Sequence, residues 1–268
     1  MQTKEFKIKW GMVIDIDKCT GCGACMVACQ VENNIAPMTG KDPYNHVQAL
    51  TKDRDDASNK LRTLTWMNLY ELSNGKNFPD HEVAYLPRPC MQCENPACVP
   101  VCPVVATDKN EEGGIVSQIY PRCIGCRYCM AACPYHARYF NWWDPLYPEG
   151  MDKQLSPAVS PRPRGVVEKC NFCHTRYQEA KDLARQNGED PNNLPDGAYV
   201  TACTEVCPTG AITFGDLNNP EHEAHKLAHG PNAFRLLEKL GLGPQVYYVS
   251  KREWVRKQGD NYNAGDKH

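Results

Sequence analysis

Sixteen cysteines in a chain of 268 residues fall into four motifs of four, and this restricts the fold more than any other feature. Every motif opens with a Cys-x-x-Cys pair and closes with a Cys-x-x-x-Cys pair. The motifs are Cys19, Cys22, Cys25 and Cys29; Cys90, Cys93, Cys98 and Cys102; Cys123, Cys126, Cys129 and Cys133; and Cys170, Cys173, Cys203 and Cys207. No cysteine is left over for a disulfide or a catalytic thiol.

The third motif has the most diagnostic combination of cysteine spacing and a following proline. In Cys123-Ile-Gly-Cys126-Arg-Tyr-Cys129-Met-Ala-Ala-Cys133 the gaps are two, two and three residues, and Pro134 follows directly. This run is typical of a cubane iron–sulfur cluster, whose fourth cysteine often binds a neighbouring cluster. Gly125 gives the loop backbone freedom near the cluster, and Pro134 turns the chain away after the last ligand.

The other motifs vary this pattern by the middle gap. The first has the same spacing as the third, the second has a middle gap of four residues, and the fourth has one of 29. The second and fourth motifs also end in Cys-Pro, whereas Gln30 follows the last cysteine of the first. The repeat predicts four [4Fe-4S] clusters, with a [3Fe-4S] cluster at one site as the alternative.

Composition narrows the class of protein. Apolar residues make up 41%, but 21 prolines and 19 glycines indicate much turn and loop, so the core depends on metal–thiolate bonds. A net charge of −2 does not suggest nucleic-acid binding. No run reaches the roughly 18 apolar residues of a spanning helix, and residues 1–6 show neither an apolar core nor paired arginines of an export signal.

Between the motifs the sequence predicts short elements. We expect strands over 6–16, 64–72 and 245–249, a hairpin over 103–122, a helix over 175–187, and a helical stretch over 221–240 broken at Gly230-Pro231. Residues 51–59 read as an exposed loop, 140–165 as irregular, and 259–268 as a loose tail.

Zinc and haem are the alternative cofactors. Zinc ligands come as pairs separated by a dozen or more residues, so only the fourth motif, taken alone, resembles a zinc site. Cys170-Asn-Phe-Cys173-His174 matches covalent haem attachment. A haem there would leave Cys203 and Cys207 without a role, and His174 is better explained as the first residue of a helix.

A few aromatic and histidine residues allow two interpretations. Trp142 and Trp143 either line a partner interface or shield a cluster from water. His222, His225 and His229 share a helical spacing and read as a solvated face. We expect His46, His81, His136 and His268 to be surface or satisfied core residues.

The order of the motifs and the words around them resemble a known family. Val13-Ile-Asp-Ile-Asp-Lys-Cys19, Cys90-Met-Gln-Cys93-Glu-Asn-Pro-Ala-Cys98 and Cys123-Ile-Gly-Cys126 resemble the four-cluster electron-transfer subunits that accompany molybdopterin oxidoreductases of the dimethyl-sulfoxide, polysulfide and formate type. Trp10-Gly-Met-Val13 and Val246-Tyr-Tyr-Val-Ser250 look like the periplasmic iron–sulfur subunits of quinone reductase complexes of sulfate reducers. The related subunit of alternative complex III is next most similar.

This resemblance implies shared ligands, because the first motif then pairs with the fourth and the second with the third. Cluster one would be bound by Cys19, Cys22, Cys25 and Cys207; cluster two by Cys90, Cys93, Cys98 and Cys133; cluster three by Cys123, Cys126, Cys129 and Cys102; and cluster four by Cys170, Cys173, Cys203 and Cys29. Gln30 and the long insert between Cys173 and Cys203 depart from the family pattern.

The implied fold class is α+β, with two pseudo-symmetric bacterial-type 2×(4Fe-4S) ferredoxin units and long loop inserts. Residues 1–30 and 165–220 would form the first ferredoxin unit, built on motifs one and four, and residues 85–140 the second, built on motifs two and three. Residues 31–84 and 141–164 would be the inserts, and residues 221–268 a C-terminal extension for docking.

Three functions are compatible with such a chain. It would be a non-catalytic electron-transfer subunit of a respiratory complex, a free polyferredoxin carrier, or a cysteine-rich scaffold. A cluster protein is brown, which separates the third, and the long inserts favour the first. The resemblance implies as partners a molybdopterin-like subunit, a multi-span quinone-binding membrane subunit and, as a further candidate, a multihaem cytochrome c. It favours the periplasmic face of the inner membrane, with the cytoplasm as the alternative.

Overall fold

The computed structural model describes residues 8–39, 64–142 and 144–261, and within them the chain combines short helices with short strands. The strands are β1 (Trp10–Asp15), β2 (Met38–Thr39), β3 (Asn68–Ser73), β4 (Val83–Arg88), β5 (Thr107–Lys109), β6 (Val116–Gln118), β7 (Tyr139–Phe140), β8 (Pro145–Leu146), β9 (Val167–Glu168), β10 (Ile212–Asp216), β11 (Ala233–Phe234) and β12 (Val246–Val249). The α-helices are α1 (Ala24–Glu32), α2 (Tyr128–Ala131), α3 (His174–Gln186), α4 (Ala202–Glu205), α5 (Glu223–Ala228) and α6 (Glu253–Asn261). This mixed content agrees with the predicted α+β class.

β1 lies inside a four-stranded sheet of order β10-β1-β12-β11. It pairs antiparallel with β10 in the register Trp10↔Asp216 and parallel with β12 in the register Met12↔Val246. Because the sheet is covered on both faces, the strand is an almost continuous apolar run rather than an alternating one. The C-terminal segment 221–268, which the sequence assigns to docking, therefore also supplies a core strand.

The two faces of β1 bury different sets of side chains. Met12 and Ile14 belong to the main core, whereas Val13 packs with Leu217 and helix α5 on the other side. On the main-core face, the Trp10 ring stacks on Phe214 with centroids 5.7 Å apart and meets Tyr199 edge-on at 4.8 Å. This aromatic cluster connects the sheet to the long insert between Cys173 and Cys203 of the fourth motif.

Two hairpins lie outside this sheet, and both were partly visible in the sequence. β3 and β4 pair antiparallel from Asn68↔Arg88 to Ser73↔Val83. The observed strand therefore begins four residues later than the predicted strand 64–72. β5 and β6 pair in the register Thr107↔Gln118, as the hairpin prediction for 103–122 requires. The residues just after Cys102 are turns instead of strand, because they fold around the cysteine sulfur.

Other predicted elements need correction. The helix predicted over 221–240 ends at Ala228, and Ala233–Phe234 forms a strand before a 3₁₀ turn at Glu238–Leu240. Helix α6 reaches Asn261, into the segment predicted as a loose tail. Helix α3 and strand β12 agree with their predictions to within one residue. The predicted loop 51–59 lies outside the described residues.

No helix in the described ranges combines the length and the apolar character that crossing a membrane would need.

Candidate metal centres

The third motif illustrates how the chain wraps a cysteine loop. After β6 a 3₁₀ turn leads into the loop, and α2 begins at Tyr128 behind Arg127, whose φ is 64°. Gly125 has a φ of 70°, and a Cβ atom there would lie 2.4 Å from the carbonyl oxygen of Gly165. Glycine is therefore required by the backbone angle and by the close approach of a second segment.

Three cavities in the described part of the chain are each lined by four cysteines, and each group of four takes residues from two motifs. Part of the empty space in each cavity is open to solvent. Cavities of about 340, 290 and 270 Å³ are lined, in that order, by three groups of cysteines. The groups are Cys19, Cys22, Cys25 and Cys207; Cys29, Cys170, Cys173 and Cys203; and Cys102, Cys123, Cys126 and Cys129. These are the sets that the family resemblance implies for clusters one, four and three.

The remaining cysteines form a fourth group. Burial is the largest cause of a raised pKa at Cys93, and the neighbouring thiols of Cys90, Cys133 and Cys98 raise this pKa further. These four residues are the set implied for cluster two, and the second and third motifs both contribute to it. We refer below to the four sets as groups one to four, numbered like the implied clusters.

Thiols of successive groups lie close enough to act on one another electrostatically, in the order one, four, two, three. Burial raises the pKa of Cys203 in group four well above its usual value, and Cys25 of group one adds to the rise. Burial raises the pKa of Cys170 to about 12, and Cys90 of group two is the first thiol to add to this rise. Burial also raises the pKa of Cys129 in group three, and Cys98 of group two contributes in the same direction.

Cysteine exposure differs between the ends and the middle of this series. Cys22 in group one and Cys126 in group three are exposed, whereas every cysteine of group four is buried and none of group two is exposed. The two ends of the series therefore each present an exposed cysteine, whereas the cysteines of its two middle groups are buried or half-buried.

The donor chemistry fits iron–sulfur clusters. Burial, followed by repulsion from neighbouring thiolates, raises the pKa of Cys25 to about 11 and the pKa of Cys29 well above its usual value. Four thiolates can be crowded in this way only when a bound cationic centre displaces their protons. Clustered buried thiols without such a centre would remain protonated at neutral pH.

The spacing of the donors fits a cluster better than a single ion. No three of the Cys, His, Asp and Glu side chains in the described ranges are arranged to hold one metal ion. Thiolates on zinc must lie about 3.8 Å apart, given the Zn–S bond length and tetrahedral geometry. The cysteines instead surround a cavity, as the corners of a cubane require.

A hydrogen bond from the backbone recurs at the fourth cysteine of three motifs. The Ala106 N–H donates to Cys102 Sγ over 3.1 Å, and the Ala211 N–H donates to Cys207 Sγ over 3.3 Å. Burial works to raise the pKa of both thiols, but these and neighbouring hydrogen bonds outweigh it and lower both pKa values.

The third example is Cys133. Burial and Cys90 raise its pKa, while the backbone N–H of Ala137 donates to its sulfur and opposes the rise. All three cases share the sequence pattern Cys-Pro-x-x-Ala. The pattern is visible in the sequence, but its role as a hydrogen-bonding turn was not predicted.

In the first motif the donor near the fourth cysteine is a side chain instead of a backbone N–H. Without proline after Cys29, helix α1 continues to Glu32, so the Asn33 N–H is committed to the Cys29 carbonyl oxygen at 3.2 Å. The buried side-chain amide nitrogen of Asn33 donates to the same carbonyl oxygen at 3.0 Å and also lies 3.8 Å from Cys29 Sγ and 3.9 Å from Cys173 Sγ. Asn33 was missed by the sequence analysis, and the departure at Gln30 was the signal that could have found it.

The haem alternative receives no support from the site. Cys170 and Cys173 share their cavity with Cys203 and Cys29. His174 is the first residue of α3, and its Nε2 atom lies 3.2 Å from the side-chain amide nitrogen of Gln178.

Two minor predictions have different outcomes. His222 is buried, and its Nδ1 atom accepts from the Asp216 N–H at 3.1 Å, so the prediction of a solvated face is wrong for this residue. Trp142 is 48% exposed and lies against Phe140 and the Arg127 guanidinium beside group three. Trp143 lies outside the described residues.

Comparison with known proteins gives consistent matches. Two family models, both described as a 4Fe-4S dicluster domain, match residues 81–146 and residues 18–106 with 122–211. The menaquinone reductase iron–sulfur cluster-binding subunit of Nitratidesulfovibrio vulgaris is 70% identical over 264 residues, which cover 98% of this chain and 97% of that protein. The ranges matched by the second family model include all sixteen cysteines.

More distant relatives have related names. A putative dimethyl sulfoxide reductase iron–sulfur subunit of Halobacterium salinarum is 36% identical over 93% of this chain and 84% of its own length. A polysulfide reductase chain of Wolinella succinogenes is 34% identical over 91% of this chain and 95% of its own length. Each match extends over nearly the whole chain.

Proposed function

Because this chain belongs to the family of iron–sulfur electron-transfer subunits of menaquinone, polysulfide and related reductase complexes, we propose that it conducts electrons through four [4Fe-4S] clusters. The electrons would pass between a catalytic or cytochrome partner and a quinone-binding membrane subunit. The observation that carries this proposal is the series of four cysteine groups, each adjoining the next, with an exposed cysteine only at its two ends.

We propose that the four groups are the ligand sets. Cys19, Cys22, Cys25 and Cys207 would hold cluster one; Cys90, Cys93, Cys98 and Cys133 cluster two; Cys123, Cys126, Cys129 and Cys102 cluster three; and Cys170, Cys173, Cys203 and Cys29 cluster four. The cavities and the thiols that neighbour Cys93 support this exchange of fourth cysteines between motifs. They also support one ferredoxin unit organised by motifs one and four and another organised by motifs two and three.

When bound, the clusters supply one-electron transfer, and with four thiolates each they leave no iron open for substrate. The chain contributes the rest. Thiolates fix the positions, and backbone N–H groups such as those of Ala106 and Ala211 stabilise sulfur charge. Buried Cys29, Cys173 and Cys203 lie away from water. The proposed role is therefore conduction rather than catalysis.

The partners and location are also proposals. Group one would face a molybdopterin-like subunit and group three a multi-span quinone-binding subunit, with a multihaem cytochrome c as a further electron donor. By family resemblance we propose attachment through these partners at the periplasmic face of the inner membrane. Protease added to intact spheroplasts tests the side, since protection until lysis would assign the protein to the cytoplasm.

Iron analysis and native purification test the proposal together. We expect about 16 iron atoms per chain and about as much acid-labile sulfide after anaerobic purification. We also expect co-purification with membrane and catalytic subunits. About 15 iron atoms would indicate one [3Fe-4S] cluster. Zinc in place of iron, or a brown protein that purifies alone from native extract, would contradict the proposal.

A further inference from the structure

Arg138 is a buried cation that lies between groups two and three. Arg138 is only 3% exposed. One terminal nitrogen, Nη2, donates to Cys98 Sγ over 3.0 Å. The guanidinium also lies within hydrogen-bonding reach of the Cys129 sulfur in group three. The same positive charge therefore reaches a cysteine in each of the two groups.

Two side chains of the β5–β6 hairpin hold the guanidinium in place. The second terminal nitrogen, Nη1, donates to Thr107 Oγ1 over 3.2 Å and to Gln118 Oε1 over 3.0 Å. Both residues are buried, and Thr107 donates to the same Gln118 oxygen over 2.8 Å. The two residues are direct partners in the hairpin register, so the segment between motifs two and three fixes the orientation of the cation.

This cation has no carboxylate partner among the described residues. Another buried arginine, Arg162, instead forms an ion pair with Glu168 at 2.6 Å. A buried charge without compensation is strongly unfavourable. The partners of Arg138 are two neutral oxygens and a cysteine sulfur, so the anionic charge that balances it must come from cysteine thiolates and what they bind.

We propose that Arg138 is a positioning residue that raises the reduction potentials of clusters two and three, and of cluster two most. Reduction adds one electron and hence one negative charge to a cluster. A fixed cation and a hydrogen bond to a ligand sulfur both favour that more negative state. No proton needs to move, because a guanidinium stays charged at all ordinary pH values. This inference depends on the four-cluster assignment proposed above.

Potentiometric titration of the full-length chain, followed by electron paramagnetic resonance, tests the proposed effect of Arg138 on the reduction potentials. In Arg138→Gln we expect two of the four reduction waves to move to lower potential. At a fixed ambient potential the ratio of reduced to oxidised cluster two should fall about tenfold, equal to about 59 mV for a one-electron couple. Arg185→Gln removes a cation from the exposed surface of α3 and is the matched control, in which no wave should move.

Two further variants keep the test decisive if Arg138→Gln fails to bind iron. Arg138→Lys keeps the charge but not the forked geometry, and Gln118→Leu keeps Arg138 but removes one of its anchors. Each should lower the same waves by a smaller amount. Unchanged waves in every variant that retains its iron, or an equal shift of all four, would overturn the role of Arg138. A wild-type protein without four clusters would instead contradict the proposed function.

Discussion

At the residue scale, a hydrogen-bond donor lies beside the fourth cysteine of each motif, and the chain supplies this donor in two ways. Cys-Pro-x-x-Ala turns a backbone N–H onto the sulfur after Cys102, Cys133 and Cys207. After Cys29 the helix continues, and the Asn33 amide takes this position. Sequence alone locates every cysteine, but it does not reveal which N–H is free to reach a sulfur, since that depends on where each helix ends.

Replacing Asn33 with leucine, which has nearly the same shape, should affect cluster four alone. Its amide contacts with Cys29 and Cys173 are long, at 3.8 and 3.9 Å. We therefore expect a downward shift of one reduction wave by roughly 20–40 mV, equivalent to about 0.5–1 kcal/mol. Gln30→Ala, on the same helix but bonded to the Leu64 carbonyl oxygen, is the control and should shift nothing. A shift in the wave of cluster one would contradict this assignment.

At the element scale, local patterns predicted the short elements well when their partners lay nearby. The hairpin β5–β6 and the helix α3 needed only turn residues and helical periodicity. The stretch 231–240 was predicted wrongly because its leucines have helical spacing, whereas Ala233 and Phe234 pair with β12 instead. Tertiary pairing outweighed local preference there, as commonly happens in short strands.

A buried arginine of the insert 141–164 links the insert to strand β9 and to the end of helix α1. The Arg162 Nε atom donates to Glu168 of β9 over 2.6 Å, and both side chains are 2% exposed. Arg162 also donates to the carbonyl oxygens of Asn33 and Asn34 at the end of α1. Glu168 receives a further hydrogen bond from Asn141 at 3.0 Å. This pair therefore connects β9 and the insert to the helix that carries Cys29.

Glu168→Gln should leave the Arg162 charge buried and unpaired. We expect a loss of roughly 3–5 kcal/mol in stability, because removing one partner of a buried ion pair leaves the other desolvated. Cluster proteins unfold irreversibly, so the measurement is the rate of bleaching of cluster absorbance on heating. Asp182→Asn breaks an exposed pair with Arg185 and should cost about 1 kcal/mol or less. Equal bleaching rates in the two variants would contradict the importance of the buried pair.

At the scale of the whole molecule, the pairing of distant motifs could not be predicted from spacing alone. Four motifs can exchange fourth cysteines in several ways, and loop closure depends only weakly on length. The family resemblance selected one pairing, and Cys29 lies at the cavity of Cys170, Cys173 and Cys203. The parallel pairing of β1 with β12 was equally hidden, since it joins strands near the two ends of the described chain.

The exchange of ligands between motifs one and four leads to a prediction about the whole chain. If Cys29 binds cluster four, then Cys29→Ser and Cys170→Ser should remove or alter the same cluster signal, and the double variant should resemble either single one. Cys19→Ser should remove a different signal. Iron should fall to about 12 atoms per chain when a whole cluster is lost.

Electron paramagnetic resonance of the reduced variants, beside iron analysis, makes this comparison. Binding and folding are coupled in such proteins, so variants that fail to accumulate are replaced by Cys29→Asp and Cys170→Asp, whose carboxylates can still bind iron. Loss of the same signal in Cys29 and Cys19 variants would mean that each motif binds its own cluster. In that case Cys25 and Cys203 would be neighbours in two loops that each bind a complete cluster. Electron transfer between clusters one and four would then not require an exchange of fourth ligands.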